Sequence, residues 1–179
     1  VDSATMMNKG LELIEACLLF GFDSSKVSVL IHPQSVIHAL VAYQDGSMIA
    51  HMGYPDMRVP IAHALAWPRR ISSGVAKLDL TSCNSLLFQQ PDTHRFTCLA
   101  LAMQVQAAGQ SAPTVMNAAN EVAVQAFLDE RIAYTQIYKV VSEVVATSEL
   151  LPLTTLESIL AVDANARASA EHFISKIEN

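Results

Sequence analysis

Val36-Ile37-His38-Ala39-Leu40-Val41-Ala42-Tyr43, then Gln44-Asp45-Gly46, then Ser47-Met48-Ile49-Ala50-His51-Met52 is the stretch that decides the fold class. Two apolar, β-prone runs flank an Asp-Gly pair, and that pair between such runs signals a hairpin. Strict alternation puts Val36, His38, Leu40 and Ala42 on one face and Ile37, Ala39, Val41 and Tyr43 on the other. Both faces are apolar, so the sheet calls for a cover on each side. The helix at the start of the chain is one expected cover and a second subunit the other.

On the N-terminal side, Val27 to Ile31 reads as a further strand. Before it, a helix is expected from about Ser3 to Phe20, stopped by Gly21, with Met7, Leu11, Ile14 and Leu18 as its apolar stripe. On the C-terminal side, Gly53 to Pro60 reads as a loop, and Ile61 to Trp67 as a short helix that Pro68 ends. Periodicity then fades through Arg69-Arg70, Ser72-Ser73-Gly74 and Asn84-Ser85. The remainder reads as helices over His94–Ala108, ending at Gly109, Thr114–Leu128, Thr135–Thr147 and Thr154–Lys176, the last with room for a break near Asp163. Thr154 and Glu157 have capping-box spacing. The expected fold is α+β: a helix plus a β-sheet with a hairpin over 1–67, a linker over 68–92, and a small helical bundle over 93–179.

The 179 residues can bury one good core or two small ones. Apolar residues make up 51% and charged residues 16%, yet no uninterrupted apolar run approaches the roughly 20 residues of a spanning helix. A membrane partner is therefore not expected, and the surplus apolar surface is expected to face another domain or subunit. The net charge of −6 comes with no basic stripe, which argues against nucleic acid. Cys17, Cys83 and Cys98 are irregularly spaced with no Cys-x-x-Cys pair. Cys17 and Cys98 sit in apolar helical runs as small core residues, and a reducing, intracellular compartment fits.

The chemistry concentrates in Asp2-Ser3-Ala4-Thr5-Met6-Met7-Asn8-Lys9-Gly10-Leu11-Glu12. Asp2 and Ser3 are N-cap types, and a helix start with its free N–H groups favours an anion, phosphate first. Helical spacing puts Asn8 and Glu12 on one face with Thr5 beside them and Lys9 at its border. An amphipathic helix with a weak Lys9–Glu12 surface pair is the commoner meaning of such a pattern. Glu12 alone does not make a hard-cation site, which takes about six oxygen ligands and usually more than one carboxylate. The six glycines are never two and five positions apart, so no dinucleotide fingerprint is present. His32, His38 and His63 show no helical ligand spacing; His38 is expected in a core or hydrogen-bonding role over a catalytic one, and Ser35 is a candidate to line the site by its proximity to His38. Asn117-Ala118-Ala119-Asn120-Glu121 is expected to make caps and interhelical hydrogen bonds.

Ser3 to Glu12, Leu30-Ile31-His32-Pro33-Gln34-Ser35-Val36-Ile37-His38, Tyr43-Gln44-Asp45-Gly46-Ser47, Pro55-Asp56-Met57-Arg58, Pro60-Ile61-Ala62-His63, Ala66-Trp67-Pro68, Asn117 to Glu121 and Val162-Asp163-Ala164-Asn165-Ala166-Arg167 occur in that order. Together they resemble the 1-deoxy-D-xylulose 5-phosphate reductoisomerase family. The resemblance implies the C-terminal part of a longer enzyme, comprising part of its catalytic and dimerisation domain, a linker and its helical domain. It implies NADPH-dependent conversion of the phosphorylated ketose to 2-C-methyl-D-erythritol 4-phosphate in non-mevalonate isoprenoid synthesis. Ser3, Asn8 and Lys9 match substrate-holding residues, Lys9 and Glu12 catalytic ones, and Glu12 one ligand of a magnesium, manganese or cobalt ion whose two other acids lie upstream. Met57 matches a position near the nicotinamide and substrate, the alternative for it being an ordinary loop hydrophobe. A homodimer is implied, in a bacterial cytoplasm or a plastid. The alternative is a structural or dimerisation module, inactive by itself.

Overall fold

The computed structural model describes residues 1–178, which form two compact units. One holds residues 1–29 and 91–178, and the other holds Leu30–Gln90.

The first unit is helical. It begins with α1 (Asp2–Thr5) and α2 (Met7–Phe20), continues after Pro91 with α4 (Thr97–Ala108), α5 (Ala112–Leu128) and α6 (Tyr134–Thr147), and ends with α7 (Leu156–Ile177). Ala, Leu, Met and Gln fill α4, all good helix formers, and Gly109 at φ 66° ends it. Pro113 lies in the first turn of α5, where its missing N–H has no helical partner to lose. The centre of the unit is α5, which packs against α4, α6 and α7. Its buried face is mostly alanine: Ala112, Ala118, Ala119, Ala123 and Ala126, so neighbouring helices come close. Val140, Val141 and Val144 of α6 and Ala166, Ala170 and Ile174 of α7 close the core. Ser111 is buried and ties in the α6–α7 connection, its Oγ accepting the Leu151 N–H at 2.9 Å.

The leading helix belongs to this core and not to the unit that carries the hairpin. Met7, Gly10, Leu13, Ile14 and Cys17 form the buried face of α2, set against α4. The expected stripe is thus rotated: Leu11 is half-buried and Leu18 exposed. Gly10 explains the choice of partner. A Cβ built on it would stand 2.4 Å from the Cβ of Ala102, so only glycine permits this approach.

The second unit carries the hairpin, β1 (Ile37–Ala42) and β2 (Met48–Met52), antiparallel as expected. Asp45 accepts from the Ser47 N–H at 2.9 Å and Gly46 has φ 87°, which is the turn chemistry the Asp-Gly pair announces. The strict alternation fails at His38, because a bulge separates Ile37, paired with Met52, from Ala39, paired with His51. Ile37 therefore shares a face with Leu40 and Ala42, opposite Ala39 and Val41. His38 is exposed and lies beside His51 with ring centroids 5.6 Å apart, so it is not a core histidine.

Other expectations change as well. Val27 to Ile31 is not a strand: Val27 and Val29 pack on the helical core, and Ile31 makes a single bridge with Gln89. The short helix starts earlier, α3 spanning Arg58–Ala66, since Asp56 accepts from the Arg58 N–H at 2.9 Å and organises the first turn. Residues 68–90 fall in the second unit and Pro91 and Asp92 in the first, so the unit boundaries lie at 29/30 and 90/91 and not at 67 and 92, and in sequence the hairpin unit interrupts the helical one. His32 bonds the Leu87 carbonyl at 2.8 Å and stacks on Phe88, and Gln34 accepts from the Leu87 N–H at 3.2 Å. In α7 the cap is Thr155 with Ser158, one residue beyond the expected Thr154 and Glu157, and the helix runs through Asp163 unbroken.

The Gly10 contact gives a test. Alanine there gains about 1 kcal/mol of helix propensity, but overpacking a tight site costs about 1–3 kcal/mol. Gly10→Ala should lower the urea midpoint, and adding Ala102→Gly should recover most of the loss. A raised midpoint in the single variant would contradict the packing.

Candidate functional site

The segment expected to carry chemistry is two helices. Met6 has φ 58°, a left-handed conformation that costs a side-chain-bearing residue about 1–2 kcal/mol, and it separates α1 from α2. The break changes which side chains face outward. Thr5 turns inward and is buried, away from Asn8 and Glu12. Its hydroxyl donates to the Asp2 carbonyl at 3.2 Å and accepts the Met7 N–H at 3.2 Å, so it takes the first free N–H of α2. Asp2 lies inside α1, whose cap position is Val1 with no side-chain bond, so neither Asp2 nor Ser3 caps a helix.

Asp2 is used elsewhere. Asn120 of α5, 2% exposed, donates its Nδ2 to both carboxylate oxygens at 3.3 and 3.2 Å. A hydrogen bond to a charged group contributes about 1.5–3 kcal/mol, enough to offset the strain at Met6. The polar run Asn117 to Glu121 does make interhelical bonds: besides Asn120 on α1, Glu121 accepts from Arg167 of α7 at 2.6 Å. Asn117 instead donates within its own helix, to Glu121 at 3.0 Å.

Asn8, Lys9 and Glu12 are exposed together on α2. Asn8 Nδ2 donates to Glu12 Oε1 at 2.7 Å, and Lys9 Nζ to Glu12 Oε2 at 2.6 Å. Both members of the Lys9–Glu12 pair are 46% exposed. Such a pair contributes about 0.2–1 kcal/mol, so an incoming anion or cation can separate it at little cost. Ser3 is also exposed, on the other side of the Met6 break. Met57 lies in the second unit, exposed at the head of α3 between Asp56 and Arg58. There the Arg58 guanidinium grips Asp56 through Nε and Nη2 and, with the Arg58 N–H, holds its carboxyl down at about 2.

Among the described residues no group of three His, Cys, Asp or Glu could hold a metal ion, around Glu12 or elsewhere. The residues present therefore fit one position of a metal site and not a whole one. Among the described residues no helix is long and apolar enough to cross a membrane. The Asn120–Asp2 tie escaped the sequence reading, since 118 residues separate the partners. The polar run in an alanine-rich helix was its only signal.

Residues 52–169 match the family described as DXP reductoisomerase C-terminal domain, and residues 1–20 match the 1-deoxy-D-xylulose 5-phosphate reductoisomerase C-terminal domain. The chain is 56% identical over 175 residues to the 1-deoxy-D-xylulose 5-phosphate reductoisomerase of Ralstonia nicotianae, covering 98% of itself and 44% of that protein. It is 57% identical over 176 residues to that of Pseudomonas fluorescens, with the same coverage. The reductoisomerase of Zymomonas mobilis in complex with NADPH superposes with a TM-score of 0.92 at 48% identity, over 97% of this chain and 46% of that one. A DOX-P reductoisomerase structure with fosmidomycin and magnesium gives 0.87 at 46% identity, over 99% and 46%. The chain spans about half the length of the relatives it matches. It belongs to the 1-deoxy-D-xylulose 5-phosphate reductoisomerase family.

The cysteines give a prediction. Burial pushes the Cys98 thiol up to about 11, with the Asp2 charge adding to the rise and a hydrogen bond with Thr5 opposing it. At pH 8 Cys98 is a buried, protonated thiol, Cys17 is buried too, and Cys83 is half-buried. Alkylation at pH 8 should modify Cys83 fast and the other two only on unfolding. Three equally fast thiols would contradict the structure.

Proposed function

We propose, with family membership as the premise, that this chain supplies part of the substrate site of an NADPH-dependent reductoisomerase acting on 1-deoxy-D-xylulose 5-phosphate. The product is 2-C-methyl-D-erythritol 4-phosphate, for isoprenoid synthesis by the non-mevalonate route. The observation that supports the reading best is the exposed face of α2, where an amide donor, an ammonium and a carboxylate converge within hydrogen-bond distance.

The roles follow from donor chemistry. Lys9 carries three N–H donors and a full charge, and Asn8 two neutral donors; with the Ser3 hydroxyl they suit a phosphate and the hydroxyls of a sugar. Holding the remote phosphate fixes the reacting carbons, so its binding energy goes into orientation. Lys9 and Asn8 leave Glu12 when substrate arrives, which frees its oxygens. Glu12 is proposed as one carboxylate ligand of a divalent ion, with magnesium, manganese and cobalt as candidates and the other ligands outside these residues. Such an ion polarises the substrate oxygens it holds. Met57 is proposed as an apolar contact for the nicotinamide or substrate, and the bacterial cytoplasm as the location.

The hairpin supports an assembly role. Val41 and Ile49 are directly paired, and both are exposed on one face. We place a homodimer contact on Val36–Met52, with the residues beyond about Asp92 outside its centre. Val41→Asp should lower dimerisation in sedimentation more than Leu40→Asp on the opposite face. A chain that stays monomeric at every concentration, with a folded spectrum, would exclude the contact for this chain.

The 179 residues alone should not oxidise NADPH with the phosphorylated ketose and magnesium or manganese; turnover by a sample of verified mass would refute this. In a full-length family member carrying this sequence, Lys9→Ala should cost about 1.5–3 kcal/mol of transition-state binding, roughly ten- to a hundredfold in kcat/KM. Glu12→Gln should keep the fold and weaken metal activation, because an amide is a poorer ligand for a hard cation. Wild-type kinetics in both variants would remove these residues from the site.

A further inference from the structure

We infer that Asn120 is a positioning residue for the candidate phosphate site, acting through Asp2 to hold α1 at its angle to α2. Three observations meet here. Asn120 is buried in the middle of α5, and its Nδ2 reaches both oxygens of Asp2 at 3.3 and 3.2 Å. Asp2 directly precedes Ser3, the one candidate phosphate donor on α1. Between Ser3 and the donors on α2 stands Met6 at φ 58°, a conformation that persists only where its surroundings impose it.

Asp2 and Thr5 are the groups that fasten α1. Thr5 is satisfied locally, by the Asp2 carbonyl and the Met7 N–H, and sits against Cys98 of α4. The Asp2 carboxylate alone among the hydrogen-bonding groups described for α1 reaches α5. Losing that bond leaves α1 four residues long with no side-chain cap, too short to keep its own geometry. Ser3 then loses its fixed relation to Asn8 and Lys9, while the α5–α6–α7 core is untouched. A residue on the helical bundle thereby sets how well the phosphate donors are aligned. The functional half of this inference rests on the reading of Ser3, Asn8 and Lys9 as phosphate donors.

The test uses the 179-residue chain and amide hydrogen exchange by NMR. In Asp2→Ala, the Thr5 and Met7 amides should exchange about tenfold faster, and those of Val140 and Val141 should keep their wild-type rates. Asp2→Asn keeps an acceptor for Asn120 and should restore most of the protection. Asn120→Ala should match Asp2→Ala, and the double variant should be no worse than either single one, since both remove one interaction. Unchanged Thr5 and Met7 exchange in Asp2→Ala, or additive effects in the double variant, would overturn the inference. Asp2→Ala, a half-buried position at the end of the chain, keeps the test valid if Asn120→Ala does not fold. Titration with inorganic phosphate separates the two halves: shifts at Ser3, Asn8 and Lys9 should weaken in Asp2→Ala and recover in Asp2→Asn. If phosphate shifts nothing in wild type while the exchange pattern holds, the phosphate reading falls and the positioning role stands.

Discussion

The approach of Gly10 to Ala102 is the contact on which the arrangement depends. A Cβ on Gly10 would stand 2.4 Å from that of Ala102, so α2 and α4 meet nearly backbone to backbone. That closeness lets Met7, Leu13, Ile14 and Cys17 reach the core of a bundle otherwise formed by residues beyond 91. It also fixes the rotation of α2. With Gly10 turned inward, Asn8, Lys9 and Glu12 face out, and polar chemistry and packing occupy separate faces of one helix. The candidate face of α2 is therefore mounted on the helical unit, although its residues lie far in sequence from the rest of that unit.

Local signals predicted local structure well. The Asp-Gly turn, Gly21 and Gly109 as helix stops, and the helical periodicity beyond residue 94 all correspond to elements seen. Each is a choice made within a few residues. What the sequence did not disclose depends on partners distant in the chain. Val27 to Ile31 alternates like a strand, but its valines serve the helical core, and among the described residues it has only the Ile31–Gln89 bridge and no strand to pair with. The segment after Pro68 lacks periodicity because side chains and single bridges organise it, as at Leu87 and Gln89, and not repeated backbone pairing.

The site was legible in composition more than in geometry. Asn8, Lys9 and Glu12 were readable as one face from helical spacing alone, and their bonds of 2.7 and 2.6 Å agree with it. Thr5 was misplaced because a continuous helix was assumed, and no residue type announces a left-handed Met6. The strain there offers an explanation for the buried Asn120: a long-range tie holds a backbone bend that local preference opposes. Weak, exposed pairing at Lys9 and Glu12 and a firm, half-buried tie at Asp2 divide the work. On the proposed reading the first opens to a ligand, and the second keeps the frame still while it does.

Native-state hydrogen exchange across a denaturant series tests the mounting of the site helix most directly. If α2 is part of the helical unit, the amides of Leu13, Ile14 and Cys17 open with the same free energy and denaturant slope as those of α4 and α5. If they open together with the amides of β1 and β2, the account of which unit carries the site is wrong.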